Sequence, residues 1–245
     1  MRRLMVLVGL GLAATAATAR ADDSFSPAQT KAIQQIVRDY LMLHPEFLLD
    51  VMQAADDKTK ADKEAGVEKT IRDRHAEIFD DPTSPVGGNP KGNVTIVEFF
   101  DYRCPYCKQV EPILEALLKQ DPNIRIVYKE FPILGPESLY ASQVALAARK
   151  QGKYQTFHDA MMGTKGTITD DVILKIAGAA GVNVGTAETA MKAPDIQTLI
   201  KNNYALADAL AINGTPAFII GDKLVPGATD LDGLKQLVAA ARHSG

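Results

Sequence analysis

In this 245-residue chain 27 basic residues face 30 acidic ones, a formal charge of −3, and no basic stripe runs along it, which excludes nucleic-acid binding. The length suits one domain with an extra element. Two cysteines without a second CxxC, and four histidines (His44, His75, His158, His243) at no metal-binding spacing, exclude a zinc ribbon.

Met1-Arg2-Arg3 is a short basic head, and the apolar run from Leu4 to Ala14 is too short to span a bilayer. The small-residue stretch that follows ends in Ala19-Arg20-Ala21, an A-x-A cleavage pattern, with Ala17-Thr18-Ala19 as a second option. Residues 1–21 therefore read as a signal peptide, with an uncleaved anchor as the alternative. Cleavage removes Arg2, Arg3 and Arg20 and no acid, so the charge falls from −3 to −6. The mature chain then starts at Asp22 in an oxidising compartment, most simply a bacterial periplasm.

Residues 22–80 carry helical patterning alone. Ser26-Pro27 reads as an N-cap and first helical position, followed by an apolar stripe at Ile33, Ile36, Val37, Tyr40, Leu41 and Leu43. His44-Pro45-Glu46 breaks and restarts the helix, and Phe47, Leu48, Val51 and Met52 resume the apolar face. From Ala54 to Arg74 mixed charges predict a solvated rod, with Gly66 as a weak point. So short an amphipathic pair is not stable alone in water. Self-association, as a dimer or trimer, is the expected way to bury it; docking on the main domain is the alternative.

Asp81 to Pro90 is dense in turn formers and marks a boundary, with the main domain over 81–245. Val94–Phe100 is β-branched and aromatic and reads as a buried strand. A helix to about Gln120 follows, then a strand at Ile124–Phe131, giving a βαβ unit. From about 135 to 211 only helical segments follow. Strands return at Ala217–Ile220 and Leu224–Val225 around a Gly221-Asp222 turn, and a last helix runs from about Leu231 to Arg242.

Cys104-Pro105-Tyr106-Cys107 stands where the first strand gives way to its helix. A cysteine at a helix start has its thiolate stabilised by free backbone N–H groups and the helix dipole. A second cysteine three residues on lies one turn away, able to close a small disulfide loop. The arrangement points to thiol–disulfide exchange, with Cys104 as nucleophile and Cys107 as resolving thiol. Pro105 removes an N–H that would be unpaired anyway, and Arg103 adds positive charge nearby. Glu98 interrupts an apolar strand: buried, its ionisation would be opposed and it could relay a proton with Cys107; the alternative is a solvent-facing edge position.

Glu98-Phe99-Phe100-Asp101-Tyr102-Arg103-Cys104-Pro105-Tyr106-Cys107 and Gly214-Thr215-Pro216-Ala217, in this order of elements, look like an α/β thioredoxin fold with a helical insertion. Over roughly Asp81 to Arg242 the chain resembles the DsbA-like thiol–disulfide oxidoreductases of the bacterial periplasm. Ile36-Val37-Arg38-Asp39-Tyr40-Leu41 with His44-Pro45-Glu46-Phe47-Leu48-Leu49 is similar to the oligomerisation helices of the suppressor-of-copper-sensitivity C (ScsC) group, which is multimeric and isomerase-like. The resemblance implies that Pro105 and Tyr106 tune redox poise, although plain packing of Tyr106 on the domain rim is the alternative. It implies a cis Pro216 lying against the CxxC, a Thr215 backbone that pairs with substrate peptide, and an acid at position 98. Expected partners are disulfide-bonded or misfolded client proteins and a membrane redox partner, with no organic cofactor or metal required. A monomeric dithiol oxidase and a copper binder using the paired thiols are the rival readings.

Overall fold

The computed structural model describes residues 25–244; the leader assigned to residues 1–21 lies outside them. Two compact units divide the chain, residues 1–58 and 59–245. Among the described residues no helix is long and apolar enough to cross a membrane.

In the first unit, α1 (Pro27–Leu43) starts on a capping box: Gln29 N–H donates to Ser26 Oγ at 3.3 Å and Ser26 N–H to Gln29 Oε1 at 2.9 Å. It stops at His44, before Pro45 opens α2 (Pro45–Asp73). No residue of α1 is buried, and Ile36, Leu43, Phe47 and Met52 are 67%, 76%, 46% and 62% exposed. Apolar side chains left this open form a face that nothing within the unit covers.

In the second unit, α2 ends with Ile71 buried, and α3 (His75–Phe79) buries Ile78 and Phe79. The compact unit thus begins at Thr59, well ahead of the turn-rich stretch at 81–90 where composition puts the boundary. A five-stranded sheet follows: β1 (Val86–Gly88), β2 (Val94–Phe100), β3 (Ile124–Glu130), β4 (Ala217–Ile220) and β5 (Lys223–Pro226), in spatial order β1-β3-β2-β4-β5. β2 and β3 run parallel around α4 (Pro105–Gln120); all other pairs are antiparallel. α5 (Pro136–Arg149), α6 (Tyr154–Met162), α7 (Asp170–Ala179), α8 (Val184–Ala190) and α9 (Pro194–Ala209) form the insert, and α10 (Leu231–Ser244) closes the unit.

Strand period divides the core. Ile96 and Phe100 of β2 pack with Cys107, Val110 and Leu114 of α4 and with the insert. Val97 and Phe99 pack on the opposite face with Ile71, Ile78, Phe79, Leu206 and Leu210. The sheet is covered on both sides, which is why its central strands are apolar almost throughout. β1 lies inside the turn-rich stretch 81–90, where composition predicts no strand. Its pairing comes from β3, with Val86 opposite Val127 and Gly88 at φ +62°.

Candidate active site

The strand-to-helix turn after β2 positions the cysteines. Buried Asp101 accepts from Arg103 N–H at 2.7 Å, Leu134 N–H at 2.9 Å and Ser138 Oγ at 2.8 Å, so one carboxylate ties this turn to the loop after β3. Cys104 N–H donates to Asp101 O at 3.0 Å, and Cys104 is the N-cap of α4. Lys108 Nζ fastens the first turn of α4 to the insert through the Met161 and Thr164 carbonyls, at 2.7 and 2.8 Å. Arg103 donates to Glu137 Oε2 at 2.6 Å and Leu134 O at 2.7 Å, so its charge is already partnered.

Both cysteines are free thiols and both are buried, Cys107 fully. The Thr215–Pro216 peptide is cis, and Cys104 Sγ lies 3.1 Å from Thr215 O. The structure therefore brings Cys104, Cys107 and the Thr215-Pro216 loop together. Pro105 follows as the first residue of α4, and Tyr106 stands 59% exposed on the rim.

Electrostatics separates the two thiols. The Cys107 thiol, and then the backbone N–H groups of Cys107 and Tyr106, donate toward Cys104 and hold it down at about 5. Cys107 is pushed up, first by its hydrogen bond to Cys104, then by burial and the nearby Glu98 charge. Alkylation of the reduced chain is therefore expected to rise with a midpoint near pH 5 and to fall on Cys104. Preferential labelling of Cys107 at mildly acidic pH would reverse the assignment.

Glu98 is fully buried on the central strand, opposite Tyr128 and Phe218, not at an edge. Neither of its carboxylate oxygens has a hydrogen-bond partner. Burial, then the Glu111, Cys104 and Glu130 charges, push its proton affinity well up.

Sequence reasoning missed a second layer. Buried Glu130 accepts from Tyr102 Oη at 3.2 Å, Tyr154 Oη at 2.9 Å and Ser142 Oγ at 2.7 Å, and burial raises it to about 8. Glu111 and His158 are also buried. Glu111 had one legible signal, an acid one turn after Cys107 on the apolar face of α4; His158 likewise shares its helix face with Phe157 and Met161.

Comparison with known proteins matches residues 95–239 to the DSBA-like thioredoxin domain and residues 29–61 to the copper resistance protein ScsC N-terminal domain. A thioredoxin-like oxidoreductase from Silicibacter pomeroyi is 45% identical with a TM-score of 0.68, over 69% of this chain and 98% of that one. Proteus mirabilis ScsC in a transitional conformation is 30% identical with a TM-score of 0.67, over 90% of this chain and 100% of that one. The thiol:disulfide interchange protein DsbA of Bordetella pertussis is 28% identical over 57% of this chain and 68% of its own length. The chain also matches two Na(+)/H(+) antiporters NhaA, from Salinispora arenicola and Salinispora tropica, at 28% and 26% identity, and spans 24% of their length.

Proposed function

The chain belongs to the DSBA-like thioredoxin family with an ScsC N-terminal domain ahead of it, and from that premise we propose that it is a periplasmic protein thiol–disulfide oxidoreductase working as an oligomeric isomerase or reductase. One observation carries the chemistry: Cys104, against the Thr215-Pro216 loop, is held at about 5 beside a Cys107 pushed up. One helix start thus offers a ready nucleophile and a protected partner.

The Cys104 thiolate attacks one sulfur of a client disulfide; the other client sulfur leaves as a thiolate and takes up a proton. In isomerisation a client thiolate then attacks the mixed disulfide and releases Cys104 with no net change of oxidation state. In reduction the Cys107 thiolate attacks Cys104, freeing reduced client and closing the Cys104–Cys107 disulfide, which a membrane dithiol partner must reopen. Client backbone pairs with Thr215. Tyr106, Ile133 and Leu134, all exposed, offer apolar contact to an unfolded segment.

Cys107 must lose a proton before it attacks. Glu98, a buried carboxylate that affects Cys107 and has no other partner, is the acceptor. Glu98→Gln is expected to leave the first attack unchanged and slow resolution about a hundredfold, the low end for general base catalysis. Stopped-flow release of a mixed disulfide reads it, and an unchanged resolution rate removes Glu98 from the mechanism.

The isomerase direction rests on the open apolar face of α1 and the start of α2, which assembly of several copies buries. Reactivation of scrambled ribonuclease by an oligomer, with size read by light scattering, tests it. A monomer that only oxidises dithiols would support the oxidase instead.

A further inference from the structure

Behind the redox centre lies a cluster the exchange chemistry does not use. Glu111 on α4 and His158 and Asp159 on α6 place one donor atom each within 4.8 Å of one another. The His158 ring is fully buried and the Glu111 side chain is 10% exposed; their Nε2 and Oε2 face each other at 3.5 Å, and neither atom has a hydrogen-bond partner. Two buried polar atoms left open and converging on a third donor are costly unless something joins them.

The imidazole is held in one orientation. Its ring lies 4.5 Å from that of Tyr128, stacks at 5.7 Å on Tyr154 and meets the Phe100 edge at 4.9 Å. Its Nδ1 stands 3.2 Å from the Tyr102 hydroxyl. That hydroxyl also lies 3.2 Å from Glu130 Oε1. The tautomer in which Nδ1–H donates to it leaves a lone pair on Nε2 aimed at Glu111. A far nitrogen held by a hydrogen-bonded neighbour, here the Tyr102 hydroxyl, orients an imidazole as a ligand.

We infer that Glu111, His158 and Asp159 form a binding site for a divalent transition-metal ion of the zinc type. One imidazole and two carboxylates are the borderline and hard donors such an ion accepts, at about 2.0–2.2 Å, with water completing the shell. With the His158 ring fixed, the Glu111 and Asp159 carboxylates must rotate to bring donors within 4.8 Å of one another onto one ion. A cleft of about 340 Å³ lined by Glu111, Tyr128, Gln155 and the exposed Asp159 gives the ion a way in. Neither thiol takes part, so the site is separate from copper binding through the cysteines.

Zinc chloride titrated calorimetrically into the full exported chain, with the Cys104–Cys107 disulfide closed to keep the thiols out, tests this. The expected result is one saturable zinc per chain, weakened about tenfold or more in Glu111→Gln and in Asp159→Asn. Asp159 is exposed, so its variant keeps the fold even where a change at the buried His158 would not. Nitrogen NMR adds a second measurement: the His158 Nε2 signal shifts on zinc addition while Nδ1 stays protonated. His44 with Glu46 at 3.0 Å and His75 with Asp80 at 3.3 Å are the surface pairs to exclude. No saturable uptake, uptake insensitive to both Glu111→Gln and Asp159→Asn, or uptake lost only with His44→Ala or His75→Ala would overturn the site.

Discussion

Cys104→Ser is expected to reduce exchange with a client disulfide to the uncatalysed background, whereas Cys107→Ser keeps the first attack and accumulates mixed disulfides. The asymmetry follows from the two environments. Cys104 at about 5 is almost wholly thiolate at neutral pH, and a serine hydroxyl there offers no comparable nucleophile. Cys107 is fully buried and pushed up, so it reacts only with a sulfur delivered to it. Cys107 is also the largest support for the Cys104 thiolate. Cys107→Ala, which removes that donor, should therefore move the Cys104 alkylation midpoint up from about 5. In the wild type this depressed thiol stabilises the reduced folded chain fully above about 9, and the gain is lost as pH falls through about 5. Non-reducing electrophoresis after a client challenge reads the variants; a Cys107→Ser chain that no longer attacks would mean the roles are exchanged.

What the sequence made legible was local. Val94–Phe100 announces a strand by β-branched and aromatic content, the pattern after Cys104 announces a helix, and Ser26-Pro27 announces a helix start. The CPYC motif is contiguous, and its place at the helix start is enough to read its chemistry. What stayed hidden is assembled across the chain. β1 is three residues with two glycines, and its strand character comes from β3; Gly87 leaves so little room beside Tyr128 that a Cβ would stand 2.8 Å from its ring. Glu111 and His158 meet only because α4 and α6 pack on one face of the sheet, and each alone looks like a stray polar residue on an apolar stripe. The mixed charges of residues 54–74 hid Ile71, since a composition reading averages over a turn whose one apolar side chain is in the core.

That last point makes two truncations behave differently. A chain starting at Thr59 is expected to be a folded monomer that retains dithiol reactivity and loses scrambled-ribonuclease reactivation. It sheds the open apolar faces of α1 and the start of α2 and keeps a complete core. Starting at Asp81 removes Ile71, Ile78 and Phe79, each contributing about 1.5–3 kcal/mol by burial, from the face they share with Val97 and Phe99. It also takes the Glu77 carbonyl, 2.7 Å from Lys129 Nζ, leaving a buried ammonium with Ser84 at 2.8 Å and Asp81 at 3.3 Å. Set against a total stability of about 5–15 kcal/mol, this loss should lower the thermal midpoint by about 10 °C or more relative to the Thr59 start. Circular dichroism reads the melting and light scattering reads the mass. Equal midpoints would show that the end of α2 and α3 are dispensable to the second unit. A monomeric chain from Asp22 onward would remove assembly from the account, and the oxidase reading would then stand above the isomerase.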